Sequence, residues 1–200
     1  MLDNLRKRLL HRFLDIYKRR KQLMCDAGVD NCLDTIRAMM KKVKYGFLIS
    51  HGVDGWCSTR LVQPIVDFDN GVIWIGTNPT LRKVREIRAN PKVTLAFDDA
   101  KENANLVLYG EARVEADISS RRRYWKEEWR LFFPGGPTGN DYVLLRMEPI
   151  KIELMNFSRS VVPEPFGLKP AVLIRKDGMW RVENDVAQQV AAADREQRGG

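Results

Sequence analysis

The sequence predicts a mainly β fold, an antiparallel barrel with flanking helices. Three observations carry this. Six or more short runs are rich in β-branched and aromatic residues, and tight Gly- or Asn-containing turns separate them. The helical segments are few. They fall between strands and not after each one, which disfavours a doubly wound parallel sheet. No GxGxxG occurs, so a dinucleotide site of the Rossmann type is not expected.

Taken in order, residues 3–21 read as an amphipathic helix, with Leu5, Leu9, Phe13 and Ile16 or Tyr17 at three- and four-residue steps and cations between them. Asp26-Ala27-Gly28 breaks it. Asp30 is the expected cap of a second helix carrying Leu33, Ile36, Met39 and Met40. Tyr45–Ser50 and Trp56–Pro64 are strands joined at Val53-Asp54-Gly55. Asp69-Asn70-Gly71 signals a type I′ turn before the strand Val72–Ile75. Pro79 stands near the start of a short helix with Leu81, Val84, Ile87 and Arg88, and Asn90-Pro91 ends it. Val93–Phe97 and Asn105–Ala116 are strands, with Gly110 marking a bulge or a close approach. A helix is expected from about Ile118 to Leu131, followed by the aromatic loop 132–137. Tyr142–Met147 and Lys151–Phe157 read as two closing strands split by Pro149. A linker at 161–165 leads to a hairpin, Ala171–Val182, turning at Lys176-Asp177-Gly178, and the last dozen residues are polar and expected to fray. The organisation is a basic helical arm at 1–29, a barrel domain at 30–158 and a C-terminal extension at 159–200.

The chain has 200 residues, 44% of them hydrophobic and 30% charged, which excludes a disordered or collagen-like protein. No apolar run is long enough to cross a membrane, and no secretory signal is read at the N-terminus. Cys25, Cys32 and Cys57 form no even framework, so they read as reduced thiols in a cytoplasmic protein. The net charge of +8 is uneven: residues 1–23 hold eight cations against two acids, leaving only +2 for the rest. The basic character belongs to the arm, which argues against a nucleic-acid-binding body. Contact of residues 1–23 with nucleic acid or membrane is possible; the favoured expectation is a helix packed on the barrel with a solvated basic face.

Nucleophilic or metal chemistry finds little support, since His11 and His51 are the only histidines and no metal-ligand spacing occurs. Redox or transfer chemistry would therefore depend on a bound cofactor. The informative cations are Arg60 on a strand and the adjacent Arg82 and Lys83 at a strand-to-helix junction, where a helix start favours an anion such as a phosphate monoester. The plainer alternative is a solvated helix with Arg82, Lys83, Arg85 and Arg88 on its outer face. Trp125 and Trp129 are expected to pack in the core or at an interface. The Pro134–Pro137 loop is equally a lid or a rigid turn.

The order Arg60-Leu61-Val62, Trp74–Asn78, Arg82-Lys83-Val84 and Asn90–Val93 resembles the FMN-binding split barrel, the pyridoxamine-phosphate oxidase-like superfamily. Val107–Ala112 resembles the family's long strand, and the segment from Trp125 through Phe133-Pro134-Gly135-Gly136-Pro137 to Asp141–Arg146 is most similar to its general stress protein branch. The resemblance covers roughly residues 32–157. It implies a six-stranded antiparallel split β-barrel and a homodimer with two FMN sites at the subunit interface. By position, Arg60, Arg82 and Lys83 would hold the phosphate. Leu61, Val62 and Gln63 would run along the isoalloxazine, Thr77 would sit near the ring or ribityl chain, and Asn105 would reach FMN from the second subunit.

Two positions depart from the family pattern. Leu81 stands where a Ser is common, and Met155 where a Trp often packs on the flavin. FMN binding is expected to persist but weaken, and FAD, a deazaflavin or haem are alternative guests; for haem, His51 is the only barrel candidate as axial ligand. No Arg-x-His-like element occurs near the C-terminus, which argues against vitamin B6 oxidation. The resemblance implies a flavin-dependent oxidoreductase acting on a small molecule of unknown identity. The alternative is a non-enzymatic dimeric binding module with a basic arm for anionic partners.

Overall fold

A computed structural model describes residues 2–67 and 70–183. Its elements are α1 (Leu2–Leu23), α2 (Val29–Lys42), β1 (Gly46–His51), β2 (Cys57–Val62), β3 (Pro64–Asp67), β4 (Val72–Thr77), α3 (Arg82–Ala89), β5 (Lys92–Asp99), β6 (Ala104–Glu115), α4 (Ile118–Arg123), β7 (Val143–Asn156), β8 (Ala171–Lys176) and β9 (Met179–Val182). All strand pairs are antiparallel.

The strands follow the path β2-β1-β5-β6-β7-β4-β3, with β8 added to β7 and β9 to β8. Gln63 alone separates β2 from β3, so the two ends of the path are one stretch of chain and the sheet closes on itself. The expected strand Trp56–Pro64 is thus two strands broken at Gln63, and the described residues form nine strands, not six. Counting β2 and β3 as one, the closed ring has six, and β8–β9 is an appendage.

Alternation explains the ring. Along β5 and β6 every second side chain is buried, as one wet and one dry face require. β4 differs because both its faces are covered. Ile73 and Ile75 point into the main core with Leu48, Leu95, Leu106, Leu145 and Met147. Val72 and Trp74 point the other way, into a second cluster with Trp129, Tyr142 and Leu144.

Pro149 does not split the closing strands; β7 runs unbroken through it. The register shifts at Tyr109/Gly110, where Gly110 faces Pro149. A Cβ on Gly110 would lie 2.2 Å from the Glu148 carbonyl oxygen, so only glycine permits this approach. The bulge absorbs the proline, which needs no ladder donor there.

The helix expected over 118–131 is interrupted. Asp117 caps α4 by accepting from the Ser119 and Ser120 N–H groups, and a 3₁₀ turn follows at Glu127–Leu131. Aromatic packing outweighs helix continuity here. Tyr124 stacks on Trp74 at 4.5 Å, while Trp125 and Trp129 gather around Tyr142. Gly28, not Asp30, is the N-cap of α2, and α2 lays Cys32, Ile36 and Met39 on the main core. Burial first, then Asp26 and Cys25, push the Cys32 thiol up to about 12. Gly71 stands at φ +63° in the turn before β4, while Asp69 lies outside the described residues. The β8–β9 hairpin turns at Asp177-Gly178, and the tail beyond Glu183 lies outside the described residues.

The arm departs most from expectation. Residues 4–20 are exposed all round. Among the described residues, the body meets α1 near its C-terminal end: Lys21 Nζ donates to the Phe157 carbonyl (3.2 Å), Gln22 Nε2 donates to the Val162 carbonyl (2.9 Å), and Tyr17 meets Phe166 edge-on. The helix is thus held partly by polar groups, and its apolar face is not packed on the barrel.

Candidate functional site

The break between β2 and β3 opens a cleft. About 390 Å³ of space is lined by Tyr45, Leu61, Val62, Gln63, Gly76, Thr77, Asn78, Leu81, Lys83, Trp129, Phe132 and Phe133. This volume lies in the range of small-molecule sites. β2 supplies Leu61 and Val62, the end of β4 supplies Thr77, and the first turn of α3 supplies Lys83. Val62 and Thr77 are buried, while Leu61 is exposed. Trp129 Nε1 donates to Gln63 Oε1 at 3.1 Å, which fixes the amide at the strand break.

Among the described residues, Lys83 is the one charged side chain on this lining. Its Nζ donates to Thr77 Oγ1 at 3.1 Å. Burial, then the neighbouring Arg60, lower its pKa from the usual lysine value. A desolvated ammonium with no acid beside it on the lining, at the head of a helix whose first turn has no side-chain cap, is arranged to receive an anion. The rest of the lining is largely apolar and aromatic, suited to a flat ring. These residues therefore fit a planar cofactor with an anionic tail.

Arg60 and Arg82 behave differently from the expectation. Neither lines the cleft. Arg60 donates to Glu86 Oε2 at 2.8 Å, to Ser50 Oγ at 2.5 Å and to the Leu48 carbonyl. Arg82 lies 3.2 Å from the other Glu86 oxygen. Glu86 is itself buried and also accepts from the Ser50 and Ser58 hydroxyls. Burial would raise its pKa, but the bonds from Ser50, Ser58 and Arg60 outweigh that and hold it below the usual carboxylate value. The three cations expected to act together are thus divided: two serve a buried carboxylate and one faces the cleft.

Glu86 is not legible as a site residue from sequence, because it stands in a charge run that looks solvated. The available signal is its place between Val84 and Ile87, the two apolar positions that α3 buries. Tyr45, Trp129, Phe132 and Phe133 are also missed as cleft wall. The loop after them is a turn pinned by Asp141, which accepts from the Gly135 N–H at 3.0 Å. His51 stands exposed at the end of β1 and does not line the cleft.

Asn105 lies elsewhere. It is exposed on β6 and paired with Met155 on β7, so these two positions, both linked to the cofactor by the resemblance, are neighbours on a sheet face outside the cleft.

Among the described residues, no helix is long and apolar enough to cross a membrane. No curated protein matches the chain. Many solved structures share its fold, among them the three that follow. A protein related to general stress protein 26, from Clostridium acetobutylicum, is 21% identical with a TM-score of 0.58, over 63% of this chain and 89% of that one. General stress protein 26 from Bacillus anthracis is 18% identical with a TM-score of 0.54, over 62% and 93%. A pyridoxamine 5'-phosphate oxidase-related, FMN-binding protein from Nostoc punctiforme is 15% identical with a TM-score of 0.61, over 75% and 94%. The family model described as pyridoxamine 5'-phosphate oxidase-like matches residues 31–162, and that span holds the whole closed ring, the cleft, Lys83 and Glu86. The chain belongs to the pyridoxamine 5'-phosphate oxidase-like family.

Proposed function

We propose that the cleft is half of an FMN site, completed by a second copy of the chain. The observation that carries this is Lys83 in the first turn of α3, bonded to Thr77 and, among the described residues, the sole charge on an otherwise largely apolar lining. Lys83, Thr77 and the α3 N-terminus would take the phosphate, and the main chain of Leu61, Val62 and Gln63 would run beside the ring. Phe132 and Phe133 would exclude water from it. Bound flavin supplies two-electron redox chemistry, and the protein contributes position and electrostatics. The reaction class that follows is an oxidoreductase acting on a small molecule.

The homodimer is supported by apolar surface around the cleft. Phe47 and Leu61 pair across β1 and β2, and both are exposed, as are Tyr45 and Phe132. A second copy that covered this rim could bring its Asn105 and Met155 to the open side of the ring. The solved FMN-binding relative from Nostoc punctiforme adds support through its shared fold.

A second reading has its own observation. Glu86 withdraws Arg60 and Arg82 from the anion, and Leu81 offers no hydroxyl. A weak site of this kind suits a binding module without fast turnover. An absorption spectrum of the purified protein, with titration by FMN, riboflavin and FAD, tests both. FMN binding clearly tighter than riboflavin supports the phosphate site at Lys83. Equal binding of FMN and riboflavin removes it. No flavin binding at all leaves the family fold as a scaffold.

A further inference from the structure

Helix α1 lies outside residues 31–162, and the closed ring does not use it. It is about 33 Å long at 1.5 Å per residue. At 100° per residue, Leu5, Leu9, Phe13, Ile16, Tyr17 and Leu10 fall within one arc of about 140°. The middle of that arc is in water: Leu9 is 60% exposed, Phe13 65% and Ile16 60%. Contiguous exposed apolar surface of this extent marks an interaction site. Lys7, Arg8, Arg12, Lys18 and Arg19 occupy the other side of the helix, and Arg6 and Arg20 stand inside the apolar arc.

Charge decides what covers this ridge. The arm carries +6 and the remainder of the chain +2, so a second copy offers no acidic surplus to receive Arg6 and Arg20 in a buried seam. A nucleic acid would neutralise the cations and leave Leu9, Phe13 and Ile16 in water. An anionic bilayer surface answers both faces: the apolar arc enters the boundary between headgroups and acyl chains, and the long cationic side chains reach the phosphates beside it. The helix is too rich in charge to span, so it would lie flat. We propose that α1 is an interfacial helix that places this protein on anionic phospholipid membranes. Body contacts at Lys21, Gln22 and Tyr17 would fix how the barrel stands relative to the surface.

The test is flotation of the full chain with vesicles of phosphatidylserine and phosphatidylcholine in a one-to-two ratio, against phosphatidylcholine alone. Binding to the mixed vesicles only, weakening with salt, is expected. Leu9→Ser with Phe13→Ser should weaken it by about a hundredfold or more. Arg8→Gln, Arg12→Gln and Arg19→Gln together should weaken it by about a hundredfold. Since these side chains are exposed, the variants should melt as the parent does. Equal binding to neutral vesicles overturns the proposal. So does undiminished binding by the serine variant, which would mark a purely ionic contact such as nucleic acid makes. A fall in mass by light scattering in the serine variant also overturns it, because the ridge would then be a seam between two copies.

Discussion

Arg60 on β2 and Glu86 on α3 form a 2.8 Å ion pair that ties the strand beside the cleft to the helix that heads it. Ser50 and Ser58 complete the carboxylate's shell, and Arg82 reaches its second oxygen. Under the proposed reading, Glu86 also holds two positive charges away from the anion. Glu86→Gln separates these effects. It should cost about 2–3 kcal/mol of stability, because Arg60 loses its buried counter-ion while Gln keeps some hydrogen bonds. FMN affinity should rise on the order of tenfold as Arg60 and Arg82 are released. Chemical denaturation and flavin titration of the same variant check both halves. A fall in affinity would mean that the pair orients the anion site.

The same carboxylate sets a pH dependence. Its folded pKa lies below the ordinary value of 4.5, so its contribution is complete above that value and is lost as pH falls through the lowered one. The difference in melting temperature between wild type and Glu86→Gln should hold steady from neutral pH to about 5 and shrink below about 4. Melting curves at matched pH values test this.

The two neighbouring cations at the head of α3 should not be equivalent. Lys83→Ala should weaken FMN binding by roughly tenfold to a hundredfold, since hydrogen bonds to charged groups are worth about 1.5–3 kcal/mol. Arg82→Ala should change it by less than about threefold, as an exposed side chain already paired with Glu86. Fluorescence quenching of added FMN measures each. Equal losses would return Arg82 to the phosphate.

Gly110→Ala tests the bulge. The new methyl would meet main-chain atoms of Glu148 and Pro149, which cannot rotate away. A loss of about 3 kcal/mol or more is expected, at the upper end of overpacking costs. Urea denaturation reads it directly; a loss under about 1 kcal/mol would mean that β6 and β7 slide apart freely.

Much of the sheet is legible in the sequence, because its hairpins carry their own turn chemistry. Val53-Asp54-Gly55 joins two ring strands where expected, and Lys176-Asp177-Gly178 turns the appended hairpin. What escapes is long-range. Pro149 reads as a stop until Gly110, far away in sequence, supplies the bulge that admits it. Periodicity offers a helix through Leu131, but Tyr124 finds Trp74 and Trp129 finds Gln63, and these partners lie on other elements. For the site, Leu61, Val62, Gln63, Thr77 and Lys83 do converge. Arg60 and Arg82 do not join them, because a run of charges cannot reveal which acid in it is buried. The ridge of α1 is legible as amphipathic, but periodicity alone does not reveal that it stays off the barrel.

Strand β7 serves two neighbours along one edge. Val143–Met147 pairs with β4 and Lys151–Leu154 pairs with β8, with Pro149 between the two stretches. The C-terminal hairpin is therefore a cover strip for half an edge, laid on a ring that is already closed. Removing it should strip Leu173 from the main core and uncap the ladder groups of Lys151–Leu154, a short open template for cross-molecule strand addition. The extension beyond the matched span thus shields this stretch of ladder and seats Leu173 in the main core.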